Sequence, residues 1–177
     1  MHRAPILAQR EPWCLLPSVI LGVSVEDQRR ADERREDLRA LAEAGWRTFV
    51  SYEPALGPID WSGWEFVDWL ISGGESGPKA RGTSRSSYRV ARDFCIEHGL
   101  SYLHKQNGEW IDADELATMQ GWHMDQMPID LCNYTESEKL ANGRSYEHHA
   151  DGTTLIRVGK KRAGRMLDGR EWDEVPE

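Results

Sequence analysis

Val19-Ile20-Leu21-Gly22-Val23-Ser24-Val25 is a short apolar run that stops at Glu26, and its length and β-branched content suit a buried parallel strand. Three more runs share this form. Thr48-Phe49-Val50-Ser51-Tyr52 stops at Glu53-Pro54. Trp69-Leu70-Ile71-Ser72 stops at Gly73-Gly74-Glu75-Ser76-Gly77-Pro78, and Leu100-Ser101-Tyr102-Leu103-His104 stops at Lys105-Gln106-Asn107-Gly108. Helical segments lie between two pairs of these runs. Asp27 to Ala44 sets Leu38, Leu41 and Ala42 among charges and is stopped by Gly45. Ser86 to His98 carries Tyr88, Val90, Ala91, Phe94 and Cys95 at helical spacing and is stopped by Gly99. Leu56 to Asp68, between the second and third runs, is too short for a long helix with its loops. Strand–helix–strand repetition predicts an α/β layer with a parallel sheet and right-handed crossovers.

The pattern changes after Trp110. Residues 109–138 hold eight acids (Glu109, Asp112, Asp114, Glu115, Asp125, Asp130, Glu136 and Glu138) and no Lys or Arg. Asp112 to Met119 suits a short helix, Asn142-Gly143 and Asp151-Gly152 suit turns, and Gly152 to Val158 suits a short strand. Residues 160–177 alternate charge and glycine. The expected division is an N-terminal arm over 1–18, an α/β unit over 19–110, and an irregular appendage over 111–177, acidic and then basic. The appendage is expected to wrap on the α/β unit without a core of its own.

Composition bounds the function. The 177 residues are 39% hydrophobic and 29% charged, a globular balance that excludes a disordered chain. Twenty-two basic against 30 acidic residues give −8, which argues against coating nucleic acid through overall charge. No apolar run approaches the roughly 18 residues of a membrane span. Met1 to Arg10 lacks the layout of a signal peptide, so a cytoplasmic location with no membrane partner is expected. Cys14, Cys95 and Cys132 lie at least 37 residues apart, so neither a disulfide framework nor a cysteine-only metal cluster is expected. His148-His149, His104 and His123 suit core or surface roles better than metal ligation, and no metal ligands are expected. The tryptophans of 61–69 and of 110–172 are expected to anchor loops, with base stacking as the sharper alternative.

Loops after the carboxyl ends of parallel strands gather on one face, where ligands bind. That rule collects Ser24 and Glu26, Ser51 and Glu53, the glycine loop Gly73-Gly74-Glu75-Ser76-Gly77, and Lys105 with Gln106. A second reading stays open, in which these acids cap helices and reach water. The glycine loop is neither a Walker motif nor a dinucleotide fingerprint, and it serves equally as a tight turn or a cradle. Lys79, Arg81, Arg85, Arg89 and Arg92 follow it with no acid between them. They could meet phosphate or carboxylate, or form a solvated helix face. The basic stretch Arg157, Lys160, Lys161, Arg162, Arg165 and Arg170 either pairs with the acidic 109–138 segment, the expected outcome, or binds a phosphodiester backbone locally.

Several motifs in this order resemble one family. They are Leu21-Gly22-Val23-Ser24-Val25-Glu26, Ser51-Tyr52-Glu53-Pro54 through Asp60, Gly73-Gly74-Glu75-Ser76-Gly77-Pro78-Lys79-Ala80-Arg81, Lys105-Gln106-Asn107-Gly108, and Gly159 through Glu174. From about Leu21 onward the chain is similar to the phage gene-product-37/68 family of phages and prophages. The resemblance implies a radical S-adenosylmethionine-like partial (βα) barrel, here an open half-barrel of about four strands. It also implies a three-cysteine motif, near the N-terminus of full-length members, that holds an iron–sulfur cluster. This chain departs from that pattern, because the 18 residues before its first strand hold only Cys14. The expected reading is therefore a short form without its own cluster, whether natural, a fragment or a misplaced start. S-adenosylmethionine is the cofactor the resemblance leaves open, and a cluster would require a missing half supplied by another polypeptide.

Four strands cannot close a barrel of this kind. Val19 to Val25 would form an exposed apolar edge, covered by Pro5 to Pro17 or by a partner chain. Glu53, Glu75 and Lys105 are the expected catalytic residues. Ser24, Glu26, Ser51, Gly73, Gly74, Gly77, Arg81 and Gln106 are the expected ligand-binding residues. A different class of function also stays open: a small phage-encoded binding or inhibitor protein acting on a host factor through the acidic segment.

Overall fold

The computed structural model describes residues 16–119 and 146–177. Its first strand, β1 (Ile20–Ser24), runs into α1 (Gln28–Glu43). Asp27 caps that helix by accepting a hydrogen bond from the backbone N–H of Arg30. Then follow β2 (Arg47–Tyr52), β3 (Trp69–Gly73), α2 (Arg85–His98) and β4 (Ser101–Gln106). Ser84 caps the start of α2, and Gly99, at φ 67°, ends it in the left-handed conformation that glycine adopts without strain. All four strands are parallel and lie in the order β1-β2-β3-β4. No helix separates β2 from β3, as the length of that connection requires.

Register decides which side chains share a face. Val23, Val50, Leu70 and Tyr102 form one row, and Tyr52, Ser72 and His104 form the next row toward the carboxyl ends. These rows join Ala31, Leu38 and Leu41 of α1 and Tyr88, Ala91 and Cys95 of α2 in the main core. A fully buried aliphatic or aromatic side chain contributes about 1.5–3 kcal/mol, so this layer supplies most of the stability. The opposite face carries the alternate residues: Phe49 and Trp69, then Ser51, Ile71 and Leu103. Those side chains are only half-buried.

The C-terminal part differs from expectation. β5 (Trp110–Asp112), β6 (Tyr146–His148) and β7 (Thr154–Arg157) form a second, antiparallel sheet in the order β5-β7-β6. The division at 110 falls inside β5. A short helix, α3 (Ala113–Met119), follows β5, and α4 (Lys160–Ala163) follows β7. Ile111, Ala113, Leu116, Tyr146 and Ile156 build a separate small core, so this region is not merely an irregular wrapping. β7 falls within the strand expected over 152–158, whereas β5 and β6, three residues each, are too short to show alternation in the sequence. The turn at Asn142-Gly143, Cys14, Cys132, Trp122, His123 and the acids Asp125 to Glu138 lie outside the described residues.

The tail closes one border of the main sheet. The backbone N–H of His104 donates to Trp172 O at 2.9 Å, and that of Glu174 donates to Tyr102 O at 3.1 Å. Among the described residues no strand pairs with the outer edge of β1, as the parallel order implies. Residues 5–15 of the segment expected to cover that edge lie outside the described residues. Among the described residues no helix is long and apolar enough to cross a membrane.

Candidate functional site

The carboxyl ends of β1 to β4 share one rim, as parallel order demands, but the expected site residues divide there into three groups. The first group is a cluster. Glu53 follows β2, and its Oε2 lies 3.2 Å from Lys105 Nζ at the end of β4. The Ser51 hydroxyl donates to the same carboxylate oxygen at 3.3 Å. The bond from Lys105 to Glu53 spans the intervening strand β3, and Gly73 makes room for it. A Cβ built on Gly73 would lie 2.3 Å from Glu53 Oε1. The glycine is therefore needed for the carboxylate to lie across the strand end. The Glu53 side chain is 17% exposed and that of Lys105 58%, so the carboxylate is sheltered while the ammonium is reachable. Ser51 and Lys105 belong to the face that α1 and α2 leave uncovered.

The second group is Ser24 and Glu26, bound by α1. Arg34 Nη1 lies 3.2 Å from Glu26 Oε2 and also donates to Ser24 O. The third group is the glycine loop, which closes on itself. Arg81 donates to Glu75 from Nε, Nη2 and its backbone N–H, each at 2.8 Å. Those bonds, the side-chain ones foremost, lower the Glu75 carboxyl to about 2. Gly77 N–H donates to Glu109 Oε1 at 3.2 Å, so this amide already serves a carboxylate of the chain itself. Gly74 lies against the β4–β5 loop, where a Cβ would stand 2.5 Å from Asn107 O. Gln106 Nε2 donates to Gly74 O at 3.2 Å. Close packing of two loops explains Gly74 without any ligand.

The bases after the glycine loop are mostly internal partners. Arg85 is buried, pairs with Glu115 and donates to Met166 O at 2.9 Å. Arg89 and Arg92 both hold Asp168, and these two partners keep its carboxyl at about 2. The expected pairing of the second basic stretch with acids of 109–138 is realised by Arg157 and Glu109, at 3.9 Å. Arg165 pairs with Glu171 instead, and Arg170 with Glu174.

Sequence reasoning missed a polar network beneath the rim. His104 is fully buried among apolar rows, and its ring lies 4.7 Å from that of Tyr88. Asn107 Nδ2 donates to Ala163 O at 2.8 Å and Met166 O at 3.2 Å. That orientation leaves Asn107 Oδ1 as the acceptor, 2.8 Å from His104 Nε2, which must carry the proton. His104 Nδ1 is then the acceptor for the Ser72 hydroxyl at 2.8 Å. The Ser72 oxygen in turn accepts from Tyr102 OH at 2.7 Å. Burial pushes His104 down to about 4, so the ring is neutral near pH 7. The missed signal was parity: Ser72, Tyr102 and His104 stand on the buried alternation of β3 and β4, which the residue order alone does not align.

Trp61 and Trp64 pack edge to face in the main core, 6.0 Å apart. They anchor the β2–β3 connection and present no stacking platform. The one described cysteine, Cys95, is buried, and burial raises its thiol to about 12. Among the described residues no three His, Cys, Asp or Glu groups are arranged to hold a metal ion. A family described as protein of unknown function (DUF5131) matches residues 2–176. No curated protein and no solved structure matches the chain.

Proposed function

The chain belongs to the DUF5131 family, and we propose that it is a ligand-binding, radical S-adenosylmethionine-like phage or prophage protein whose site is the rim cluster of Glu53, Lys105, Ser51 and Gly73. The ligand class is a small molecule carrying both an amine and a carboxylate. The observation that carries this reading is the Glu53–Lys105 pair, held 3.2 Å apart across Gly73 on the sheet face without helices. An anion and a cation side by side at one mouth suit the two charges of an amino-acid moiety, which would take the place of their mutual contact. The sequential parallel order β1-β2-β3-β4 supports the finer reading of a half-barrel. The outer edge of β1 is where a partner chain would extend it.

S-adenosylmethionine fits this donor set, with Lys105 toward its carboxylate and Glu53 toward its ammonium. When bound, it supplies carbon groups activated on a sulfonium. An iron–sulfur cluster does not fit the described residues, because Cys95 is a buried, protonated thiol on the far side of the sheet from the cluster of Glu53 and Lys105. The reading of an acidic docking surface is less well supported. Glu109 is engaged by Gly77 and Arg157, and Glu115 by Arg85.

Calorimetric titration with S-adenosylmethionine tests the proposal. Saturable heat is expected, with binding weakened roughly ten- to hundredfold in Glu53→Gln and in Lys105→Met, the worth of one charged hydrogen bond. Absence of heat up to millimolar ligand refutes it, as does unchanged affinity in both variants.

A further inference from the structure

Among the described residues most cations are neutralised by carboxylates of the chain, but Arg47, Lys79, Lys160, Lys161 and Arg162 are not. Lys79, Lys160, Lys161 and Arg162 are exposed, and their side chains have no ion-pair or hydrogen-bond partner among the described residues. Lys79 is remote in sequence from the other three, yet the backbone brings the two segments together. Arg157 donates to Gly77 O at 2.6 Å and to Pro78 O at 2.9 Å, which sets the residue before Lys79 beside β7. Glu109 O accepts from Val158 N–H at 2.9 Å and from Gly159 N–H at 3.0 Å, just before Lys160. Glu109 also accepts from Gly77 N–H at 3.2 Å. Residues 77–79 and 157–162 are thus neighbouring segments around one carboxylate, and Arg157 already balances that carboxylate at 3.9 Å.

We propose that Lys79, Lys160, Lys161 and Arg162 form a surface that binds the phosphate backbone of a nucleic acid. Four unbalanced cations on a chain of net charge −8 mark a local departure from its overall repulsion of polyanions. Lysine-rich composition favours phosphates over a protein partner, because the cores of protein interfaces are depleted in Lys and built on apolar anchors. Here the exposed residues of 76–79 and 160–162 are Ser76, Pro78 and the four cations themselves. Phosphate contacts of this kind position a strand without reading its bases. The surface uses none of Ser51, Glu53, Gly73 or Lys105, so its test is independent of the ligand-site reading.

Fluorescence anisotropy with a labelled mixed-sequence oligonucleotide, titrated over a series of salt concentrations, reads the contact directly. Binding is expected at low salt, with log affinity falling linearly against log salt. Converting Lys160, Lys161 and Arg162 together to Gln should flatten that slope by about 2–3, close to one unit for each lost phosphate contact. A Lys160→Arg/Lys161→Arg variant should keep the slope, which separates loss of charge from loss of folding. No binding at low salt, an unchanged slope in the Gln variant, or equal binding of polyglutamate in place of the oligonucleotide would each overturn the proposal. Polyglutamate binding would identify an acidic protein as the partner instead.

Discussion

His104 Nε2 stands 2.8 Å from Asn107 Oδ1, three residues on, and through Asn107 the last strand of the parallel sheet grips the backbone of Ala163 and Met166. One neutral imidazole therefore joins β3, β4 and the C-terminal segment. Every ring nitrogen has a partner, which removes most of the cost of burying it.

The joint predicts how stability depends on pH. His104 titrates near 4 in the folded chain, against about 6.5 when unfolded. The unfolded state thus takes up the proton first as pH falls. The contribution is intact above about pH 6.5 and is lost progressively down to about 4, at up to about 1.4 kcal/mol per pH unit and roughly 3 kcal/mol in all. Glu75 and Asp168 have depressed folded values, each about 2. Their contribution holds above the ordinary carboxylate range, near 4, and fades only below it. Urea midpoints measured from pH 7 to pH 3 should show two limbs, and His104→Gln should lack the upper one. A wild-type midpoint that stays flat between pH 6.5 and about 4 would contradict this account.

The glycines of the rim separate folding from binding. A Cβ at Gly74 meets backbone at 2.5 Å, and one at Gly108 meets Glu75 O at 2.3 Å, where φ is also 73°. Neither neighbour can swing aside, so Gly74→Ala and Gly108→Ala should each destabilise by about 2 kcal/mol or more. At Gly73 the obstacle is the end of the Glu53 side chain, 2.3 Å away, which can move. Gly73→Ala should therefore cost less stability while displacing Glu53 from Lys105. Denaturation curves paired with ligand titration distinguish these outcomes, and equal destabilisation by all three would argue against the distinction.

Arg85 of α2 and Glu115 of α3 join these two helices, and their pair should behave as a buried one. The Arg85 side chain is 4% exposed and that of Glu115 26%. Glu115→Gln leaves a guanidinium uncompensated inside the protein and should cost about 3 kcal/mol. Replacing both, Arg85→Met with Glu115→Leu, should recover much of that loss. A double-mutant cycle in denaturant measures the coupling, and additive losses would show that the two side chains act independently.

The main sheet was legible because each of its elements carries a local signal. Asp27 and Gly45 bracket the first helix, Gly99 ends the second, and the four apolar runs coincide with β1 to β4 to within two residues. Of the second sheet only β7, inside the strand expected over 152–158, was legible, as was α3 beside it; β5 and β6 are three residues each and are paired only through β7, far along the chain. At the site, the rule of carboxyl ends found Glu53 and Lys105 together. It could not show that Glu75 is claimed by Arg81 or Glu26 by Arg34, because side-chain pairing depends on loop paths that residue order does not fix. The network of Ser72, Tyr102 and His104 needed register, which links positions 32 residues apart.

The tail that seats Trp172 and Glu174 against β4 gives the sheet a direction of growth. With that border occupied, the border of the main sheet left open among the described residues, where a strand of another molecule would add, is the one beside β1. Two copies meeting there would use up each other's open border, so association through strand pairing would terminate at a pair and could not propagate into a fibre. Residues 172–174 thus act as a stopper, and trimming them would open the β4 border of the main sheet as well.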